Sequence, residues 1–439
     1  MPNRRRFALA LGALPALSGA GLLLSGCSET VTEHGPARVA DGVLRLASDQ
    51  GDRLAFLTSQ WERRYVYVGG RRTGSSRRSV AHLHIDFWLI DVATARPLRR
   101  VRLGTDKQLG DLAVLGADRG VLWARLPDLI GVRLADGAVV ADRARLAAAN
   151  PALASVLPQP PDRTLFLTPQ QQRLRFTLAH GPVMLLDDGR RVRVDPSTLQ
   201  AHALGAAAAT EPEAATGAQR QRALAPANGM QWNAMVRGLN IARNDRDLDW
   251  LGLVAEREVA QIARERQTTS VPDFTRPERF KLYRGRLRPE TTHFGVRHRL
   301  ELVQPLPEAP EFLFAGLAVE DPQVNPPRAL WRRDPDSVLV LHRDRLGDQG
   351  RWLLSRVAGP AGRVVWRAEL PLSNVGLWLP GEPNARHATL LGTWLNAPRS
   401  PWAEEREDPS MQIASVDLDT GAVAAFNLDV ERSWPLTPA

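Results

Sequence analysis

Phe87-Trp88-Leu89-Ile90-Asp91-Val92 is followed by Ala93-Thr94-Ala95-Arg96-Pro97, and then by Leu98-Arg99-Arg100-Val101-Arg102-Leu103. An apolar run of strand length, a short turn-forming stretch and a second run read as two strands joined by a tight hairpin. The unit recurs. Ile130–Leu134 turns through Ala135-Asp136-Gly137 into 138–140, and Val192–Asp195 turns through Pro196-Ser197-Thr198 into 199–204. Trp352–Val357 turns through 358–362 into Arg363–Leu370, and Ile413–Leu418 through Asp419-Thr420-Gly421 into 422–428. Most successive turns lie about 40 to 60 residues apart, with a wider gap across the middle of the chain.

A period of that size points to a mainly β chain built as a β-propeller of six to eight blades. Each blade would be a small antiparallel sheet. Another all-β sandwich or barrel with Gly-rich turns is the alternative. Asp91-Val92-Ala93-Thr94 and Asp417-Leu418-Asp419-Thr420-Gly421 resemble the Asp-x-x-Thr-Gly turn of PQQ-type propeller repeats, and more loosely the repeats of WD40-like propellers. In Gly362-Arg363-Val364-Val365-Trp366 the resemblance reaches the tryptophan that packs between blades in that family. The repeats are degenerate: Arg99 stands near where the first unit would carry that tryptophan, and the last has only Phe426 nearby. Residues 79–140 and 330–380 also look like proteobacterial envelope lipoproteins with recurring Trp-rich strands, a likeness that implies architecture and location but no activity.

Outward from the repeats, the N-terminus reads as an export signal. Arg4-Arg5-Arg6 precedes an uncharged, mostly apolar stretch from Phe7 to Leu24. Leu24-Ser25-Gly26-Cys27 resembles the lipobox of bacterial lipoproteins. That resemblance implies cleavage after residue 26, a diacylglyceryl group on the Cys27 thiol, and anchoring to a membrane through it. Arg4-Arg5-Arg6-Phe7 also resembles a twin-arginine signal, so the general secretory and twin-arginine routes both stay open. Ser28 favours the outer membrane, facing the periplasm, over retention on the inner one. The expected organisation is therefore a signal peptide at 1–26, a lipid-anchored tether at 27–40, and a propeller-like domain at 41–439. A flexible and helical insertion at 206–270 interrupts the domain. It comprises an Ala-rich stretch and a helix over Asp245–Gln267, with Leu248, Leu251, Ala255, Val259 and Ile262 along one face.

Composition narrows the chemistry. Among 439 residues, Cys27 is the sole cysteine, so no disulfide forms within the chain and no multi-cysteine zinc site exists. The formal charge of +9 rests on 57 basic and 48 acidic residues, and falls to +6 without the three signal arginines. Spread over the chain, that is no nucleic-acid footprint. The densest basic cluster, Arg71, Arg72, Arg77 and Arg78, reads as an exposed hairpin loop able to meet anionic surfaces. No P-loop, Gly-x-Ser-x-Gly elbow or His-Glu-x-x-His helix is present.

His82-Leu83-His84-Ile85-Asp86 is the candidate metal site, because alternate residues of a strand share a face and imidazole with carboxylate suits zinc. A polar strand face hydrogen-bonded to its neighbours is the other reading. No cofactor is implied. The functional expectation is a non-enzymatic binding or scaffold module of the envelope with a protein partner. The alternative is an envelope hydrolase or ligand receptor with its site at the propeller mouth.

Overall fold

The computed structural model describes residues 31–40, 42–47, 51–70, 74–105, 112–126, 128–158, 173–177, 179–205, 232–233, 238–242, 248–265, 278–292, 295–314, 319–321, 324–346, 350–379, 385–394 and 410–429. The chain divides into two units, residues 1–33 with 63–81, and residues 34–62 with 82–439. In the first unit, residues 63–70 and 74–81 are neighbouring stretches of the strands Arg53–Gly70 and Gly74–Asp91. The protein is mainly β, with several antiparallel sheets. Among the described residues no helix is long and apolar enough to cross a bilayer.

In the second unit, six antiparallel meanders of four strands follow one another along the chain; Phe312–Phe314 joins the fourth and fifth into one ten-stranded sheet, and Val319–Asp321 with Val324–Arg328 extends the sixth. The first comprises Leu44–Leu46, 53–62, 82–91 and Pro97–Thr105, with Arg38–Val39 added beside Thr58–Ser59. The second runs Ala113–Asp118, Val121–Leu126, Asp128–Arg133 and Val139–Ala141. The third runs Leu174–Thr177, Gly181–Leu185, Arg191–Val194 and Ala201–Ala203. Gly238–Ala242, Leu248–Ala255, Glu278–Thr292 and Gly295–Pro305 make the fourth. Leu330–Asp334, Ser337–Arg343, Trp352–Ala358 and Arg363–Leu370 make the fifth. Asn374–Leu379, His387–Trp394, Ser410–Asp417 and Val423–Asn427 make the sixth.

The apolar runs are continuous because both faces of these sheets are covered. Alternate side chains point to opposite faces. Phe87 and Leu89 join a core shared with Val114, Leu122 and Ala124 of the second meander. Trp88 and Ile90, one residue out of step, join a core with Leu379, Leu391, Ile413 and Phe426 of the sixth. The same arrangement links the second meander to the third through Trp123 and Phe176. It links the fourth to the fifth through Phe280 and Leu330, and the fifth to the sixth through Trp352 and Trp378. Each fully buried Leu or Phe contributes about 1.5–3 kcal/mol. Short first strands that are apolar on both sides can therefore hold.

The hairpin between third and fourth strands is the same structure in four meanders. Asp91 N donates to Arg96 O, Arg133 N to Ala138 O, Asp195 N to Gln200 O and Asp417 N to Ala422 O, at 2.8–3.0 Å. The fifth residue of each has positive φ: Ala95 at 55°, Gly137 at 79°, Leu199 at 57° and Gly421 at 78°. Where the turn opens on Asp, its carboxylate accepts the turn N–H groups, as Asp417 does from Asp419 and Thr420 at 2.9 Å. The Thr hydroxyl then accepts the next amide, Ala422 N at 3.2 Å. Trp366 of the fifth meander lies against Gly421 and donates Nε1–H to Leu418 O at 3.2 Å. Arg99 of the first meander does the corresponding work on the turn of the second. Its guanidinium donates to Ala135 O and Asp136 O at 2.6 and 2.7 Å, and its stem packs on Gly137.

The structure corrects several expectations. The helix expected over Asp245–Gln267 is strand at Leu248–Ala255, paired with Gly238–Ala242 and 280–287, and helix only at Glu256–Glu265. The apolar steps were real, but two elements share them. Trp250, Leu253 and Val254 suit a strand, and Val259 and Ile262 supply the helix's buried side. The tether over 27–40 is in part strand, at Val31–His34 and Arg38–Val39. The loop carrying Arg77 and Arg78 is already strand from Gly74. Residues 206–231 lie outside the described residues. A helix the sequence reading missed, α1 (Arg143–Ala149), is capped by Asp142, whose carboxylate accepts Arg145 N at 2.8 Å.

Candidate functional site

Residues 53–62, 82–91 and 97–105 place their even-numbered side chains from 58 to 62 and 84 to 88 on one face. That face is apolar toward the sixth meander at Phe56, Trp88 and Ile90. It turns polar from Thr58 onward. Trp88 Nε1 donates to Thr58 Oγ1 at 2.9 Å, which satisfies the indole N–H of a fully buried ring. The Arg100 guanidinium lies over the Trp88 ring, 4.9 Å from its centroid, and donates to Asp86 Oδ2 at 2.6 and 3.0 Å. Arg102 Nε donates to Asp86 Oδ1. The Asp86 carboxylate is 5% exposed and held by two guanidinium groups.

Beside it, His84 bridges two strands. Its Nε2 lies 3.0 Å from Glu62 Oε2 and its Nδ1 lies 3.2 Å from Thr105 Oγ1. The order is hydroxyl, imidazole, carboxylate, with Thr105 exposed and the His84 and Glu62 side chains 11% and 13% exposed.

The expected metal ligands thus do different things. His82, His84 and Asp86 share a strand, but Asp86 is neutralised by Arg100 and Arg102, and His84 turns to Glu62. Among the described residues no three His, Cys, Asp or Glu side chains gather to hold a metal ion. Two guanidinium groups take up the Asp86 carboxylate, and the second reading of this strand, a hydrogen-bonded polar face, fits the geometry. Glu62, Arg100, Arg102 and Thr105 were missed because their partnership is cross-strand. The visible signal was the period-two pair Arg100 and Arg102, one hairpin away from Asp86. Cys27, Arg71 and Arg72 lie outside the described residues, as do the side chains of Arg77 and Arg78.

Two further clusters are buried. His342 is 2% exposed, with Nε2 2.8 Å from Ser355 Oγ and Nδ1 3.0 Å from Arg343 O. Burial pushes its pKa down to about 4, against the hydrogen bond to Arg343 O. The neutral ring therefore donates from Nδ1 and accepts the serine hydroxyl at Nε2. At the turn of the sixth meander, burial would raise the Asp417 pKa. The N–H groups of Thr420 and Asp419 and the Arg386 guanidinium outweigh burial and hold it well below the usual carboxylate range.

No family model matches the chain, and no curated protein sequence matches it. Among solved structures, a variant of the Synechocystis apocarotenoid oxygenase is 10% identical, covering 92% of this chain and 67% of that one, with a TM-score of 0.22. A luciferin-regenerating enzyme is also 10% identical, covering 90% of this chain and 98% of that one, with the same TM-score. At such scores neither fold nor activity transfers.

Proposed function

We propose that the protein is a lipid-anchored envelope protein whose second unit is a six-bladed β-propeller serving as a binding or scaffold module. The reading is carried by the sixth meander packing on the first, which is what radial closure requires. The cores shared between the first and second, second and third, fourth and fifth, and fifth and sixth meanders support it, as does the hairpin repeated at the same place in four of them. The anchor rests on the sequence Leu24-Ser25-Gly26-Cys27. Two or more acyl chains make attachment stable without help from a protein surface.

Two experiments test this. Labelled palmitate is incorporated by the wild-type chain and lost in Cys27→Ser; continued labelling of that variant overturns the anchor. Gentle extraction followed by affinity purification recovers a stoichiometric envelope protein, and monodisperse protein alone counts against the scaffold role.

A second reading is favoured by one observation, the Thr105–His84–Glu62 chain. Nucleophile, base and the group that orients the base take this order in acyl transfer. An envelope hydrolase would cleave a chromogenic ester, and would lose that turnover in both Thr105→Val and His84→Gln. Absence of turnover in the wild type removes this reading.

A further inference from the structure

The first and sixth meanders are made from opposite ends of the described chain and share no strand. The fifth and sixth are joined by a short connection between Leu370 and Asn374, but no chain runs directly from Asn427 back to Leu44. What closes this seam is side-chain packing, with Trp88 edge-on to Phe426 at 6.1 Å, a long hydrogen bond from Arg45 Nη1 to Leu379 O at 3.4 Å, and one buried carboxylate. Asp429 is 7% exposed. Its Oδ1 accepts Ala37 N at 2.7 Å and Gln60 Nε2 at 3.1 Å, both from the first meander's side. Its Oδ2 accepts Met411 N at 2.8 Å, from the sixth. Gln60 Nε2 also donates to Gly35 O at 2.9 Å, which draws the incoming chain into the same knot.

The sixth meander's side of the seam also carries two buried hydroxyls. Thr389 and Ser415 are directly opposed on neighbouring strands, share the face of Leu391 and Ile413, and are fully buried. Neither hydroxyl has a hydrogen-bond partner among the described residues.

We propose that Asp429 is the latch of the ring, holding the first meander to the sixth, and that its release opens this seam while the other meanders stay folded. The proposal rests on the propeller reading. It assigns to residues 34–40, the stretch entered from the anchored end, control over whether the ring is closed. Removing the carboxylate leaves three buried or half-buried N–H donors without an acceptor, on both sides of one interface. Local opening then becomes cheaper than global unfolding.

Hydrogen exchange followed by mass spectrometry on the full chain tests it. In Asp429→Ala, amides of 34–60 and 410–429 exchange at least about tenfold faster, while 174–203 and 352–358 keep wild-type protection. Asp429→Asn falls between, since one acceptor oxygen remains and its amide faces a second donor. Gln60→Ala, which removes one of the three hydrogen bonds to Asp429 together with the one to Gly35 O, gives the same pattern at smaller amplitude and decides the matter if Asp429→Ala does not fold. Unchanged exchange at the seam, or a uniform increase across all meanders, overturns the latch. Failure of the propeller reading shows separately, as particle images of the wild-type protein without a closed ring.

Discussion

Asp86 sits where two guanidinium groups need it. Its removal strands Arg100 and Arg102, the first of them buried under the Trp88 ring. Breaking a buried pair from one side costs about 3–5 kcal/mol. Asp86→Ala is therefore expected to lower the urea midpoint strongly, with Arg100→Ala doing less because Asp86 keeps Arg102. Equal midpoints for Asp86→Ala and wild type would exclude a structural role. His342 sets a pH dependence. Its folded pKa of about 4 lies below the unfolded value of 6.5, so the unfolded chain binds the extra proton first. The stability is complete above about pH 6.5 and drains as pH falls toward 4, by about 3 kcal/mol. Arg367 and Asp344 modulate this shift in opposite directions. His387 shifts the same way, so the measurement is the difference between wild type and His342→Gln across that window. The difference should grow with pH from 4 to 6.5 and then stay level. Thr389 and Ser415 pose a sharper question. If an internal water bridges them, Thr389→Val and Ser415→Ala each destabilise, and a double-mutant cycle shows coupling of about 0.5 kcal/mol or more. If they are dry, the two changes are neutral or stabilising.

At the scale of elements, the repeated hairpin is the part of the fold most legible in the sequence. Asp, Thr and Gly each act within a few residues: Asp accepts turn amides, Thr accepts the next one, and Gly takes the positive φ. Such local chemistry survives in one sequence without comparison. Gly421→Ala tests the last of these, since it forces φ near 78° on a side chain and drives a Cβ to 2.8 Å from Trp366. The expected cost is about 1–3 kcal/mol, read as a fall in thermal midpoint. Leu199 and Ala95 hold the same conformation without glycine, which shows that the turn's hydrogen bonds can carry that strain. Less legible was the stretch from Leu248 to Ile262. Its steps of three and four residues fit a helix, yet the first half is held as strand by partners on both sides. Pairing of that kind is tertiary and leaves no mark in a local window. The polar face around Asp86 was half legible. The alternation of His82, His84 and Asp86 announced a shared face, while the arginines that claim the carboxylate come from another strand.

At the scale of the whole molecule, the sequence period implied repeated antiparallel units, and the successive antiparallel meanders agree with that implication. The closing contacts were not readable, because Asp429 and Ala37 are 392 residues apart and neither belongs to a motif. Burial on both faces of the first and second meanders has a consequence for mutations. A large-to-small change at Trp88 or Trp123 weakens the join between two meanders as well as the sheet itself. Trp123→Ala should cost about 3–5 kcal/mol in chemical unfolding.

The unshared seam also bears on how the protein comes into being. Synthesis runs from the first meander to the sixth, so Leu54, Phe56, Trp88 and Ile90 are made long before Leu391, Ile413 and Phe426 arrive to cover them. At about 5–20 residues per second, that apolar surface stands open for some tens of seconds on the ribosome. Final closure joins the most distant parts of the chain, the slowest kind of contact to make. A newborn chain of this design must be sheltered in that interval, whether by a holding chaperone or by delaying its folding.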